Sequence, residues 1–173
     1  MRGALAERLV ATTGGRLPGV VLGVSGSEVV DVAVKLARGT TGREEIVSAA
    51  GGYHVVTGYA MAAGDPQYRE PFGAGAAGFR QVPWNDLAAM DAAIGPGTAA
   101  VLLEAIPATV GFPPPEPGYL AAVAALARER GALVVIAEVQ PGLGRPPPLG
   151  FHDRAAARPA AGPIDRWLPG SRR

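Results

Sequence analysis

The residues best placed to do chemistry in this chain are polar side chains that end apolar runs. The stretch from Gly131 to Arg145 reads G-A-L-V-V-I-A-E-V-Q-P-G-L-G-R. It is a β-branched run closing on Glu138, Gln140 and a glycine-rich turn. An open α/β sheet delivers polar groups to a ligand at its carboxyl edge in this way. Glu104 ends a second strongly apolar run. A carboxylate there is costly to bury unless paired, so at least one of Glu104 and Glu138 is expected to face a cleft. The plainer alternative is two edge carboxylates in water. Strand alternation puts Glu138 and Gln140 on one face and Ala137 on the other.

Two further turns carry candidate groups. Val24-Ser25-Gly26-Ser27-Glu28 joins an apolar run to a helical pattern. Free N–H groups at that helix start, with a hydroxyl on either side of a glycine, make a cradle suited to phosphate. The bland reading is an ordinary serine cap. It is not a Walker loop, because no G-K-[ST] follows. Gly51-Gly52-Tyr53-His54 offers an aromatic ring that could stack on a flat heterocycle and an imidazole that could hydrogen-bond it; loop packing is the alternative. A nucleophile elbow is also approached at Gly23-Val24-Ser25-Gly26-Ser27, but Ser27 stands where the second glycine belongs. His54 and His152 are the only histidines, with no carboxylate at zinc-ligand spacing, so no metal site is expected.

Composition narrows the classes. The chain has 173 residues, no cysteine and a formal net charge of +1. That length supports one domain with a real core. The charge argues against nucleic acid as the main partner, and the lack of cysteine removes disulfides and thiolate chemistry. No apolar run approaches the roughly 20 residues of a membrane span. The start, M-R-G-A-L-A-E-R-L, reads as an amphipathic helix rather than a signal peptide, and a cytoplasmic chain is expected.

These groups need elements to position them. Leu5, Ala6, Leu9 and Val10 predict an opening helix ending near Gly14 and Gly15. Val20 to Val24 reads as a strand, and residues 27 to 38 as a helix apolar nearly all round, hence buried. Glu45 to Ala49 and Phe79 to Val82 read as strands, with a mixed, glycine-rich segment at 56–78 between them. Asn85 is the expected cap of a helix through about Ile94. Ala100 to Ile106 is a buried strand, and Pro117 opens a helix through Arg130. Leu133 to Val139 is the last strand. The alternation predicts an α/β fold, a mostly parallel sheet with flanking helices. From about Pro146 onward, proline, alanine and arginine dominate, which reads as a poorly ordered tail at 146–173; so abrupt a change of composition also suits a frameshift.

S-G-S-E, V-K-L-A-R-x-x-T-G-R, G-G-Y-H, Y-R-E-P-F, L-L-E-x-I, P-P-x-P-G-Y-L and E-V-Q-x-G-L-G-R follow one another along the chain. In order and spacing they resemble the class III aminotransferases of the acetylornithine and 4-aminobutyrate type, from about Leu5 to His152. The resemblance implies fold type I, with residues 1–145 as part of its large domain, and pyridoxal 5'-phosphate as cofactor. It also implies a homodimer, or a heterodimer with a full-length homologue. By position, Ser25, Gly26 and Ser27 would bind the cofactor phosphate. Tyr53 would stack on its ring with His54 beside it, Glu104 would lie near the ring, and Gln140 would contact the phenolic oxygen. The departures lie at the reaction centre. Ala137 stands where the family has the aspartate that pairs with the ring nitrogen. Lys35 is the only lysine, on the helix after the phosphate turn, so no Schiff-base lysine is present. Val55 replaces a usual glycine, and Pro141 a usual threonine. The small domain and much of the N-terminal part are expected to be missing. The resemblance therefore implies a truncated or degenerate member with no catalytic residue left, inactive alone, or a pseudoenzyme domain that associates with a full-length homologue.

Overall fold

The computed structural model describes residues 2–14, 16–73 and 75–142. Its elements run α1 (Arg2–Thr12), α2 (Gly26–Thr41), β1 (Glu45–Ala49), α3 (Gly58–Ala63), β2 (Phe79–Val82), α4 (Leu87–Ala93), β3 (Thr98–Glu104), α5 (Tyr119–Glu129) and β4 (Leu133–Ala137). Two short 3-10 turns, Pro66–Tyr68 and Glu70–Phe72, fill the link before β2. The four strands form one parallel sheet in the order β2-β1-β3-β4. This is the expected α/β architecture.

Alternation along the strands splits the core into two layers. Val47, Val101 and Leu103 pack with Met90, Ile94, Tyr119 and Val123 beneath α4 and α5. Ile46, Ala100, Leu102 and Ala137 pack with Val30, Val34, Ala37 and Ala60 beneath α2 and α3. All seven residues of β3 are buried, as a central parallel strand covered on both faces requires. The link from β1 runs through α3 on one face to β2, and the link from β3 runs through α5 on the other face to β4. Chain direction therefore diverges between β1 and β3. Open α/β sheets place their crevice at the carboxyl ends of two such strands.

Several expectations are corrected. Residues 20–24 form no strand: they pair with none of the four strands, and Val24 is 97% exposed. The apolar run had a strand's composition, but a strand exists only through its ladder. Helix α1 buries none of its residues. Helix α2 buries one stripe, Ser27, Val30, Val34 and Ala37, and exposes Leu36 on the other side. The cap of α4 is Asp86, whose carboxylate accepts from the Ala89 amide at 2.8 Å. Asn85 instead takes a left-handed conformation, φ 63°, and its side chain bridges Pro114 and Glu116. Strand β3 begins and ends two residues earlier than expected. Helix α5 starts at Tyr119 behind Gly118, so Pro117 lies outside it. Strand β4 stops at Ala137, which leaves Glu138 and Gln140 in a turn closed by the Gly142 amide on the Glu138 carbonyl at 2.9 Å. The alternation expected to place those two side chains does not reach them. The tail at 146–173, with His152, lies outside the described residues.

Candidate functional site

The divergence between β1 and β3 gathers the candidate groups at one edge of the sheet. On one side lies the start of α2. The Ser25 hydroxyl accepts from the Glu28 amide at 3.2 Å, and the Glu28 carboxylate reaches back to the Val24 amide at 2.6 Å. This reciprocal pair is close to a capping box. The amides of Gly26 and Ser27 remain without a partner among the described residues, as the first turn of a helix leaves them. A Cβ on Gly26 would lie 3.0 Å from Cγ1 of Val139 and 3.8 Å from Cγ1 of Val55. A larger residue would crowd Val139, which the turn after β4 brings against the cradle.

The loop after β1 is tied to this cradle and to β3. The Ser27 hydroxyl, on a buried side chain, accepts from the Val56 amide at 3.4 Å. The Tyr53 amide donates to Oε1 of Glu104 at 2.9 Å, and the Thr109 hydroxyl donates to the Gly51 carbonyl at 2.7 Å. The half-buried Tyr53 ring meets Tyr68 edge-on, with centroids 5.0 Å apart. Val55 holds φ at 71°, a left-handed backbone that is strained for a β-branched residue. Glycine at that position would relieve it.

Glu104 is 3% exposed. Burial raises its carboxyl above the ordinary range, against the opposing pull of the Tyr53 and Ala108 amides that donate to it. His54 is 2% exposed, and among the described residues neither ring nitrogen has a partner. Burial lowers its pKa to about 4, so the imidazole is neutral near pH 7. Gln140 is half-buried in the turn after β4. The structure thus brings Ser25, Gly26, Ser27, Tyr53, Glu104 and Gln140 to one edge, and sets His54 beneath the loop. Val139 and Val55, which close over the cradle, escaped the sequence reading: nothing in an apolar side chain signals that it will stand over a glycine.

Lys35 lies elsewhere. It is eight residues past Ser27 on α2, about 12 Å along a helix. It lines a cleft of about 430 Å³ with Asp31, Tyr59 and Phe79. That cleft holds none of the groups gathered at the carboxyl edge.

The family profile of aminotransferase class-III matches residues 2–149. An uncharacterized aminotransferase of Archaeoglobus fulgidus is 49% identical over 144 residues, covering 83% of this chain and 34% of that protein. The acetylornithine aminotransferase of Methanothermobacter thermautotrophicus is 42% identical over 122 residues, 70% of this chain and 31% of that one. Among solved structures, the taurine:2-oxoglutarate aminotransferase of Bifidobacterium kashiwanohense, in complex with PLP and glutamate, superposes with a TM-score of 0.74. It is 27% identical, over 91% of this chain and 41% of that one. The chain spans about a third of the length of the curated relatives it matches.

Proposed function

This chain belongs to the class-III aminotransferase family, and from that premise we propose that it holds pyridoxal 5'-phosphate without a covalent link and does not carry out transamination alone. The observation that carries the reading is the pair of amides at Gly26 and Ser27 that have no partner among the described residues, at a glycine where a Cβ would crowd Val139. A phosphate there would accept from both amides at the positive end of α2. Each serine hydroxyl already accepts one hydrogen bond and keeps its proton to donate. Tyr53 would cover a ring face, and Gln140 would meet the ring's oxygen.

Other groups the cofactor needs do not fit. When bound, pyridoxal phosphate supplies an electron sink for a substrate amine, and a protein acid at the ring nitrogen strengthens that sink. At the end of β4 this chain offers the methyl of Ala137, packed among Val30, Val34 and Leu102. The one lysine, Lys35, sits too far along α2 to serve the cradle. No proton transfer at a substrate carbon is assigned to any residue here.

Titration with pyridoxal phosphate tests the reading: saturable binding is expected, and Ser27→Asp, which adds a negative charge at the cradle, should abolish it. Borohydride should trap no adduct beyond Lys35 and N-terminal background. A stoichiometric adduct at Lys35 that Ser27→Asp abolishes would overturn the non-covalent claim.

A second reading has its own support. Val21, Leu22 and Val24 are exposed beside the cradle, and β4 presents the uncharged run L-V-V-I-A at the sheet edge. The opposite edge, β2, carries the exposed Arg80, a charged side chain of the kind that keeps an edge from pairing. We infer that this chain associates with a second copy or a full-length homologue. Co-purification with such a homologue supports this, and a monodisperse monomer that never associates contradicts it.

A further inference from the structure

Building on the cofactor reading above, we propose that Glu104 is a positioning residue that sets Tyr53 over the cradle by main-chain hydrogen bonds, without touching the cofactor itself. Its two oxygens serve two different loops: Oε1 accepts from the Tyr53 amide at 2.9 Å, and Oε2 accepts from the Ala108 amide at 3.4 Å. One carboxylate therefore bridges the loop after β1 and the turn after β3, across the point where the chain direction diverges. The Thr109 hydroxyl on the Gly51 carbonyl and the Val56 amide on the Ser27 hydroxyl complete the brace. The aromatic loop is held on one side by the residues after β3 and on the other by the phosphate turn.

The residue type follows from this task. An apolar side chain would leave two buried amides unsatisfied. A neutral amide side chain offers one acceptor oxygen where two are used. The site also closes on residue 52. A Cβ there would stand 3.0 Å from the Ala49 carbonyl oxygen, 3.2 Å from Nε2 of His54 and 3.7 Å from Oε1 of Glu104. Glycine at 52 is what lets the main chain pass between the carboxylate and the buried imidazole. Burial raises the Glu104 carboxyl, consistent with a group enclosed by the loops it joins.

The test compares the whole wild-type chain with Glu104→Ala and Glu104→Gln, by amide hydrogen exchange without cofactor and by titration with pyridoxal phosphate. In Glu104→Ala, amides in 51–56 and at Ala108 should exchange about tenfold faster or more, as loss of a charge-assisted bond implies. Amides within β3 should keep their wild-type rates, and cofactor affinity should fall by about tenfold with the loop. Gln keeps an oxygen for Tyr53 and loses the Ala108 bond, so it should restore protection at Tyr53 and most of the affinity. Wild-type exchange at 51–56 in Glu104→Ala overturns the proposal. So does equal acceleration across the sheet, which would make Glu104 a general stability determinant. A fall in affinity with Tyr53 protection unchanged also overturns it, by making Glu104 a direct ligand. If Glu104→Ala does not fold, the Gln variant decides through protection kept at Tyr53 and lost at Ala108. If the wild type binds no pyridoxal phosphate, the cofactor reading fails and the exchange comparison still decides the role of Glu104.

Discussion

Glu104 at the end of β3 and Ala137 at the end of β4 are register partners in the parallel sheet. Both lie two residues beyond strand positions whose side chains face α2 and α3, so they look into the same layer. A buried carboxylate thus stands beside a buried methyl at the carboxyl edge. Where the resemblance implies two acids side by side, this chain has one.

Restoring the second acid should cost stability. Ala137→Asp places a carboxylate among Val30, Val34 and Leu102, next to the enclosed Glu104. An uncompensated buried charge is expected to destabilise by roughly 3 kcal/mol at neutral pH. The penalty should shrink as the pH falls and one of the pair takes up a proton. Urea midpoints near neutral and near pH 5 check this, and an equal penalty at both contradicts it. Pyridoxal phosphate should raise the Tm of Ala137→Asp more than that of the wild type.

His54 sets the sign of the acid limb. Its folded pKa, about 4, lies below the ordinary 6.5, so the unfolded chain binds that proton first as the pH falls. Stability should therefore drop between about pH 6.5 and 4, by about 3 kcal/mol in all. Glu104 acts the other way. Its carboxyl is raised, so the folded chain takes up its proton before the unfolded chain does, and this offsets part of the drop as the pH falls toward the ordinary carboxylate range. Unfolding free energies across this range should show the drop in the wild type and a flatter profile in His54→Asn.

The two layers of the core make a simpler prediction. Leu103 is fully buried among α4 and α5, and Leu103→Ala should lose about 3 kcal/mol. Leu36, exposed on α2, should lose less than about 0.5 kcal/mol on the same truncation. Comparable losses at both sites would contradict the placement of the core.

The exposed apolar segment before α2 predicts association. Leu22→Lys puts a charge on that surface without entering the core and should suppress self-association or pairing with a homologue. Sedimentation of wild type and variant checks this, and unchanged association places the contact elsewhere.

The strand runs were the most legible part of the sequence. Glu45–Ala49 and Phe79–Val82 have the expected bounds, because turn residues flank short runs of apolar and β-branched side chains. Positions set by distant partners were not legible. Val20 to Val24 has a strand's composition, but pairing depends on segments elsewhere. Asn85 and Asp86 are both good caps, and only the left-handed backbone at Asn85 assigns the role to Asp86. Gln140 was placed by an alternation that ends at Ala137. The turns themselves were legible, and the loop that carries Tyr53 is tied to the Ser25–Ser27 turn through the Val56 amide on the Ser27 hydroxyl. What was hidden is that Glu104 faces main-chain amides.

The most direct test of the account is the phosphorus resonance of pyridoxal phosphate titrated with the chain. The cradle at Gly26 and Ser27 predicts a saturable shift or broadening in the wild type and none with Ser27→Asp. An unchanged resonance in the wild type, or the same change in both proteins, would contradict it.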